Sequence, residues 1–466
     1  MPAHFPPAPA RISTSHLSLG CHVAIVVLCA GCGASDRSDV TGPSRADSTG
    51  VEIVRNADKP LLRGELVQPA RRVFGSETEG PELFGGLGNV RLHPNGSLWI
   101  TERQTQEIKV FDPGSGAHLF TIGGRGDGPG EFQRSGILGF DAEGSAYVYD
   151  DRHRRLSVFS ESGELLRADL MPSSFGFGPR PLHVTRTGTL LGQIPRTMER
   201  IPADGSTARD TVRIWTMPLD GTAPALLAQT SGPLWYFRDG MQVVVPYTGG
   251  LPSPYAGGSL QGFRDDRVYL TDDAGEASYY VYGRAGLERR VVIDRAPLRI
   301  DGLSVTEFVE DMRRIRFPEH LVRIYEEHLS DMPIGETRRP WDRLVVTDRG
   351  GAWLLRADAT EAATADGSAD VQVWDGFDAE GVFLGPVRVP ANILLIQVSE
   401  QSALTIVYDE MDRATVAIYE VRWMASSVAE TRVRGSQRPS GDAPPGECRR
   451  GPVRGPPHWQ GATKGW

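Results

Sequence analysis

One segment of this chain occurs twice, and this repeat constrains the fold more than any other feature. Residues 93–116 and 141–163 align when one is shifted by 48 positions. The shift places Gly96 on Gly144, Trp99 on Tyr147, Ile108 on Leu156 and Phe111 on Phe159. A repeat of roughly 40–50 residues built from short strands and glycine turns is typical of a blade of a β-propeller.

Four later segments follow the same pattern of a turn, an apolar strand, a polar loop and a second strand. They begin near Gly188, Asp266, Gly350 and Gln401. Within them Val, Ile, Tyr and Trp alternate with polar residues, as in half-buried antiparallel strands. The sequence therefore predicts an all-β fold, namely a six-bladed β-propeller of four-stranded antiparallel blades over residues 51–424.

The last unit reaches the C-terminal tail after about three strands, so one strand of the sixth blade is missing from it. Residues 51–74 precede the first unit and contain extended apolar stretches. We expect this segment to supply the outer strand of the last blade and to close the ring. Closure removes the open sheet edge that a row of blades would otherwise expose.

Charge and cysteine content exclude several classes of protein. The 466 residues carry a net charge of −9, and the last 42 are basic, with seven Arg and Lys against three Asp and Glu. The body is therefore acidic, which argues against a nucleic-acid partner. The cysteines are Cys21, Cys29, Cys32 and Cys448. The body between residues 33 and 447 can thus hold neither a disulfide nor a cysteine-ligated metal.

The N-terminus has the pattern of an export signal. Residues 17–30 form an apolar run that is too short for a comfortable membrane span. The run ends at Ala30-Gly31-Cys32, which resembles the bacterial lipobox, and this resemblance implies cleavage before Cys32 and lipidation of its thiol. We therefore expect residues 1–32 to be a signal peptide of the lipoprotein type, and the protein to be exported to the periplasm or anchored in the outer membrane. The alternative is an ordinary secretory signal.

Two further terminal segments cannot bury a core. Residues 33–50 are rich in Ser, Asp and Gly, which is the composition of a flexible tether. Residues 425–466 are rich in Pro, Gly and Arg, and we expect a disordered basic tail. The alternative for the tail is a basic arm that binds a surface.

The glycine-rich phrase Ile122–Phe132, with sequence IGGRGDGPGEF, resembles the connection between blades in NHL-type repeats. Its glycines allow a sharp turn between blades, and we expect Phe132 to pack between adjacent sheets. Together with the blades, this phrase resembles the bacterial six-bladed β-propeller lipoproteins, which are related to NHL-repeat and TolB-like propellers. The resemblance covers about residues 51–423.

Long insertions fall on one side of the predicted ring. We label the strands of a blade A to D outward, so that A–B and C–D turns share one rim, the A–B rim, and B–C and D–A connections share the other, the B–C rim. The insertions at 195–210, 230–260, 299–341 and 356–370 all belong to the B–C rim. Insertions grouped on one face often mark a binding face. Within 304–334 a capping box at Ser304 and apolar residues at helical spacing predict two short helices over the propeller mouth, which either form a lid or cover exposed apolar surface.

Charged and aromatic residues of the B–C rim are the candidate binding residues. Carboxylates beside arginines can hold a ligand or a divalent ion, or they can pair with each other in a solvated loop. Aromatic residues in 230–260 can form a platform for sugars or peptides, or they can pack in the core. The candidates are Glu102, Arg103, Asp150, Asp151, Arg152, Trp235 and Tyr236.

No linear catalytic motif accompanies the blades. The body contains neither a Gly-x-Ser-x-Gly elbow nor a helical pair of metal-binding histidines. We therefore expect a monomeric binding or scaffold module, without a cofactor, for a peptide, glycan or protein of the cell envelope. The membrane would be contacted through the lipid anchor only. The alternative is a metal-dependent hydrolase or lyase, similar to propeller lactonases, with an axial Ca or Zn.

Overall fold

The computed structural model describes residues 43–426, with gaps at 78, 172–179, 194–203, 239–249, 257, 273–274, 315–317 and 362–370. The predicted signal peptide, Cys32, most of the predicted tether and nearly all of the tail lie outside these residues. Within the described part, no helix combines the length and the apolar character that a membrane span requires.

The described strands group into six antiparallel blades, preceded by an N-terminal segment. That segment contains β1 (Ser44–Ser48), β2 (Val51–Ala57) and β3 (Leu62–Phe74). Blade I consists of β4 (Leu87–Leu92), β5 (Leu98–Glu102), β6 (Glu107–Phe111) and β7 (His118–Gly123). Blade II consists of β8 (Ser135–Phe140), β9 (Ala146–Asp150), β10 (Arg155–Phe159) and β11 (Leu165–Leu170).

The next two blades carry additions at their outer edges. Blade III consists of β12 (Arg180–Val184), β13 (Leu190–Gln193), β14 (Thr207–Met217) and β15 (Ala225–Phe237), with the short β16 (Gly250–Pro252) beside β15. Blade IV consists of β17 (Gln261–Arg264), β18 (Arg267–Thr271), β19 (Ser278–Gly283) and β20 (Gly286–Asp294).

A helical connection separates blade IV from the last two blades. It contains β21 (Leu298–Arg299), α1 (Gly302–Arg314), α2 (Glu319–His328) and β22 (Thr337–Arg338). Blade V consists of β23 (Trp341–Val346), β24 (Ala352–Glu361), β25 (Val371–Phe377) and β26 (Phe383–Pro390). Blade VI consists of β27 (Ile393–Val398), β28 (Ser402–Tyr408), β29 (Ala414–Ala425) and the N-terminal β3.

The blades form a closed ring. The first strands of neighbouring blades lie against each other from β4 to β8 and β12, and from β17 through β23 and β27 back to β4. Between β12 and blade IV, Nε2 of His183 lies 3.1 Å from the carbonyl oxygen of Asp265. The chain is therefore a six-bladed β-propeller, as the repeat predicts.

Strand β3 closes the ring in the way the sequence suggests. It pairs antiparallel with β29 from Leu62, opposite Ala425, to Phe74, opposite Val416. Blade VI thus takes three strands from the C-terminal part of the chain and its outermost strand from the N-terminal part. Pairing the two ends of the propeller removes the exposed edge that blade VI would otherwise present.

The N-terminal strap, residues 44–74, extends further around the ring than the sequence predicts. Strand β2 runs parallel to β20 of blade IV. Strand β3 lies between blades V and VI, because Gly64 and Glu65 pair with β26 on one side and with β29 on the other. Residues 44–48 were expected to be tether but form β1, which pairs with β2 across a turn at Thr49 and Gly50. Both turn residues have positive φ, as two-residue hairpins require. Backbone pairing, not apolar burial, makes this polar segment a strand.

The apolar core lies between adjacent blades. Between blades I and II it contains Trp99, Ile108, Val148 and Phe159, with the Phe132 ring fully buried among them. The expectation that Phe132 packs between sheets is therefore confirmed. Gly123 makes room for this ring, because a Cβ there would lie 2.5 Å from a carbon of Phe132.

The helical connection packs on the outer edge of blade III. Val309 and Met312 of α1 and Val322 and Tyr325 of α2 share an apolar cluster with β15 and β16. The Tyr325 hydroxyl donates to the carbonyl of Pro252 at 2.9 Å. Helix α1 begins at Gly302. Ser304 therefore lies in the first turn and is not the cap that the sequence predicts. These helices therefore cover apolar surface, which is one of the two alternatives that the sequence leaves open.

Candidate functional site

Two of the predicted rim carboxylates occupy equivalent places at the end of the second strand of blades I and II. Glu102 is 1% exposed and Asp150 is fully buried. The Glu102 carboxylate accepts hydrogen bonds from the amides of Gly86 at 2.8 Å, Gln104 at 3.1 Å and Thr105 at 2.6 Å. Burial opposes ionisation, but these bonds lower the pKa of Glu102 below its usual value. Glu102 thus stabilises a turn.

Asp150 has the same role one blade later. It accepts hydrogen bonds from the amides of Gln133 at 2.6 Å, Arg152 at 2.9 Å and His153 at 3.2 Å. Although burial again opposes ionisation, the backbone donors lower the pKa of Asp150. The sequence predicts Glu102 and Asp150 as candidate binding residues of the B–C rim. In the structure both carboxylates are buried, and backbone amides of their own B–C loops and of the preceding connections donate to them.

The other charged candidates lie in the same two B–C loops. Asp151 forms an ion pair with Arg134. Arg103 and Arg152 are exposed, and the Arg103 amide donates to the carbonyl of Gly86 at 2.7 Å. The carboxylates of these loops are therefore engaged within the fold, which is the arrangement of a charged loop that pairs with itself.

The aromatic candidates are buried. Trp235 is 6% exposed and Tyr236 is 1% exposed. Tyr236 belongs to the apolar cluster beneath α1 and α2. Neither ring can form the exposed platform considered in the sequence, because the helical connection covers this edge of blade III. Tyr247, also part of that platform, lies outside the described residues.

The structure instead places polar residues near the A–B end of the propeller's central channel. Arg91, His183, Arg264 and Gln397 lie toward the A–B ends of the innermost strands of blades I, III, IV and VI. The Gln397 Oε1 accepts a hydrogen bond from the amide of Leu92 at 2.6 Å. The His183 ring stacks on Phe263 with centroids 5.6 Å apart. We call Arg91, His183, Arg264 and Gln397 the axial cluster.

The axial cluster is positively charged and has hydrogen-bonding capacity left over. Among the described residues, the buried Nε atoms of Arg91 and Arg264 have no hydrogen-bond partner. The Arg264 Nε lies 3.6 Å from an Asp265 carboxylate oxygen, which is too far for a hydrogen bond. Burial lowers the pKa of Arg91, yet a guanidinium remains protonated at neutral pH.

The surroundings of His183 lower the pKa of its imidazole. Burial and the charges of Arg91 and Arg264 lower the pKa of His183 to about 4, against a hydrogen bond to the Asp265 carbonyl that raises it. The imidazole is therefore neutral near pH 7, and its Nε2 donates to that carbonyl. The positive charge of the axial cluster thus comes from its two arginines.

Glycines in the innermost strand of blade II make space for this arrangement. A Cβ on Gly136 would lie 2.7 Å from Oδ1 of Asn89 in blade I. A Cβ on Gly139, where φ is +153°, would lie 3.2 Å from Val184 and 3.8 Å from His183 in blade III. Because β8 offers no side chain at these positions, the two neighbouring blades approach its backbone closely there.

A second charged cluster lies between blades IV and V. The fully buried Asp375 accepts hydrogen bonds from Arg295 at 2.6 Å, from Arg356 at 2.7 Å and from the Trp341 indole at 2.7 Å. Arg295 also pairs with Asp58 of the N-terminal strap at 2.9 Å. Hydrogen bonds from Arg295 lower the pKa of Asp58. This cluster joins the strap to two blades, and its charges are matched.

Nothing in the sequence marks the axial cluster beyond the positions of its residues in the blades. Arg91 and Arg264 belong to short strands, and the sequence pattern there predicts that an arginine faces solvent. His183 lies near an inner strand. Because no other histidine occupies an equivalent position in the repeat, the sequence does not indicate a metal site there.

Comparison with known proteins supports the fold. A family described as a six-bladed β-propeller, DUF5128, matches residues 75–175. This range contains blades I and II and the glycine-rich phrase between them. A search of the curated proteins finds no match.

Similar solved structures are distant in sequence. A member of the DUF4221 family from Bacteroides vulgatus is 11% identical, with a TM-score of 0.40, over 79% of this chain and 100% of that chain. A protein of Bacteroides fragilis predicted to be exported is 12% identical, with a TM-score of 0.41, over 79% of this chain and 99% of that chain. Virginiamycin B lyase from Staphylococcus aureus is 10% identical, with a TM-score of 0.31, over 72% of this chain and 94% of that chain.

Proposed function

We propose that this protein is an exported, lipid-anchored β-propeller that acts as a monomeric binding or scaffold module in a bacterial cell envelope. Its partner would be a peptide, a glycan or a protein. The lipobox-like Ala30-Gly31-Cys32 supports attachment through Cys32 to the periplasmic face of a membrane, with the outer membrane favoured by Gly33. The acidic net charge of −9 supports a partner other than nucleic acid.

The observation that carries the binding role is the unsatisfied hydrogen-bonding capacity of the axial cluster. Buried polar groups in native proteins nearly always have partners, so a buried donor without one is a place where a ligand can bind. The Nε atoms of Arg91 and Arg264 are such donors among the described residues. By contrast, the predicted candidates Glu102, Asp150 and Tyr236 on the B–C rim are buried within the fold.

A metal-dependent hydrolase or lyase fits this axis less well. Arginine charges at the channel repel a divalent cation, so the axial cluster disfavours Ca or Zn there. The described residues also contain no group of three or more His, Cys, Asp or Glu side chains placed to hold a metal ion. The binding role that we propose needs no cofactor.

Cross-linking in the native envelope tests this function. The wild-type protein, the double variant Arg91→Gln/Arg264→Gln and the control Arg349→Gln would each be cross-linked in cells and purified. Arg349 is an exposed residue of the A–B rim that pairs with Glu400. We expect a defined partner that is captured by the wild type and the control but lost from the double variant. Equal capture by all three proteins would contradict a binding role for the channel.

A further inference from the structure

We propose that the axial cluster is an oxyanion site, which binds a carboxylate or phosphate group of a ligand that enters the channel from the A–B rim. This inference rests on the proposed binding function and names the chemistry that the site recognises. It follows from the charge of the cluster, from its free donors and from the small side chains beside it.

The charge at this mouth is the first argument. Arg91 and Arg264 lie at the same end of the innermost strands of blades I and IV, and the buried Nε atom of each has no hydrogen-bond partner among the described residues. Burial lowers the pKa of Arg91, the direction expected for a guanidinium removed from water. Arg264 forms an ion pair with Asp265 at 3.6 Å, and the two side chains are 37% and 45% exposed. Arg91 is therefore the principal positive charge that this end of the axis offers to an anion.

The donors are the second argument. Arginine presents N–H groups in a planar fork that matches the two oxygens of a carboxylate or phosphate. In Gln397, Oε1 is engaged by the Leu92 amide at 2.6 Å, which leaves the NH₂ group as a further donor at the same end of the channel. Since the cluster offers donors and positive charge, an oxyanion complements it, whereas a cation does not.

Space is the third argument. The innermost strand of blade II contributes Gly136 and Gly139 between blades I and III. Gly136 faces Asn89 of blade I, two residues before Arg91, and Gly139 faces His183 of blade III. At these two positions blade II places no side chain against its neighbours.

Isothermal titration calorimetry with simple oxyanions tests the site. Sodium phosphate and sodium acetate would be titrated separately into the purified full chain at constant ionic strength, with chloride as the reference anion. We expect saturable binding of one anion per chain, and the preference between phosphate and acetate identifies which group the ligand carries. In Arg91→Gln the affinity should fall about ten-fold or more, because a hydrogen bond to a charged group is lost. Arg349→Gln should bind as the wild type does.

Two results would overturn the inference. One is the absence of saturable binding of either oxyanion above the chloride reference. The other is equal loss of binding in Arg91→Gln and Arg349→Gln, which would indicate general surface charge. Neither result by itself contradicts the proposed function, which the cross-linking experiment tests separately. Capture of a partner by the wild type but not by Arg91→Gln/Arg264→Gln would still show that the channel binds it, through other chemistry.

Discussion

Replacing Asp375 by Asn tests whether the buried charged cluster between blades IV and V holds the propeller together. The carboxylate is fully buried and receives hydrogen bonds from Arg295, Arg356 and Trp341. The change to Asn preserves shape but removes the negative charge, and it turns one acceptor oxygen into an NH₂ donor that faces other donors. Arg295, which is 12% exposed, keeps Asp58 as a charged partner, whereas Arg356 loses the negative charge that it pairs with at Asp375.

The expected cost is the penalty for leaving a buried charge without its partner. Removing one member of a buried ion pair typically costs about 3–5 kcal/mol. Because Asp58 still neutralises Arg295, we expect the lower end, about 3 kcal/mol. With an unfolding entropy of about 2.1 cal/mol/K per residue, a propeller that spans residues 51–424 should lose about 4 °C in Tm.

Differential scanning calorimetry measures this shift directly. The control is Glu400→Gln, which breaks the exposed Arg349–Glu400 pair and should change Tm by less than about 1 °C. If Asp375→Asn and Glu400→Gln lower Tm equally, the buried cluster does not stabilise the junction and the argument fails.

Four other outcomes follow from the structure. Phe132→Ala should lower the free energy of unfolding by about 3–5 kcal/mol, because it empties a fully buried site between blades I and II. Calorimetry should show a Tm loss of about 4–6 °C. An unchanged Tm would show that the glycine-rich phrase is not part of the core. His183 has a pKa near 6.5 in the unfolded chain and near 4 in the folded chain. The free energy of unfolding should therefore fall by up to about 1.4 kcal/mol per pH unit as pH drops from 6.5 to 4. In urea unfolding, His183→Gln should flatten this pH dependence, and identical slopes in variant and wild type would refute the lowered pKa. In cells fed an alkyne fatty acid, the wild-type protein should become labelled with the fatty acid, and Cys32→Ala should abolish this labelling. Persistent labelling of Cys32→Ala would exclude Cys32 as the site of the lipid anchor. Chelators should leave the Tm of the purified protein unchanged, and a stoichiometric Ca or Zn whose removal lowers Tm would favour the enzyme alternative.

The sequence predicted the blades because their signal is local. The Trp99 and Phe111 positions recur with the period of the repeat and are buried by neighbouring blades, so the pattern of apolar residues and turns was sufficient. Closure by residues 62–74 was also predictable, because one blade lacked a strand and an apolar segment was left over. The hairpin at residues 44–57 was missed in part because β1 is polar and depends on backbone pairing with β2.

The candidate site could not be predicted in the same way. Glu102 and Asp150 read as exposed charges, but each is folded back to cap the loop that follows it. The axial cluster joins residues from four blades that lie between 91 and 397 in the chain, and nothing in the sequence near any one of them marks the others. Only closure of the ring places them together.

Hydrogen–deuterium exchange with and without saturating oxyanion tests the central claim, that the axial mouth at the A–B rim is the binding site. The account predicts slower exchange in strands β4, β12 and β17, which carry Arg91, His183 and Arg264. Protection confined to helices α1 and α2 would place the site at the helical connection on the outer edge of blade III and contradict the account.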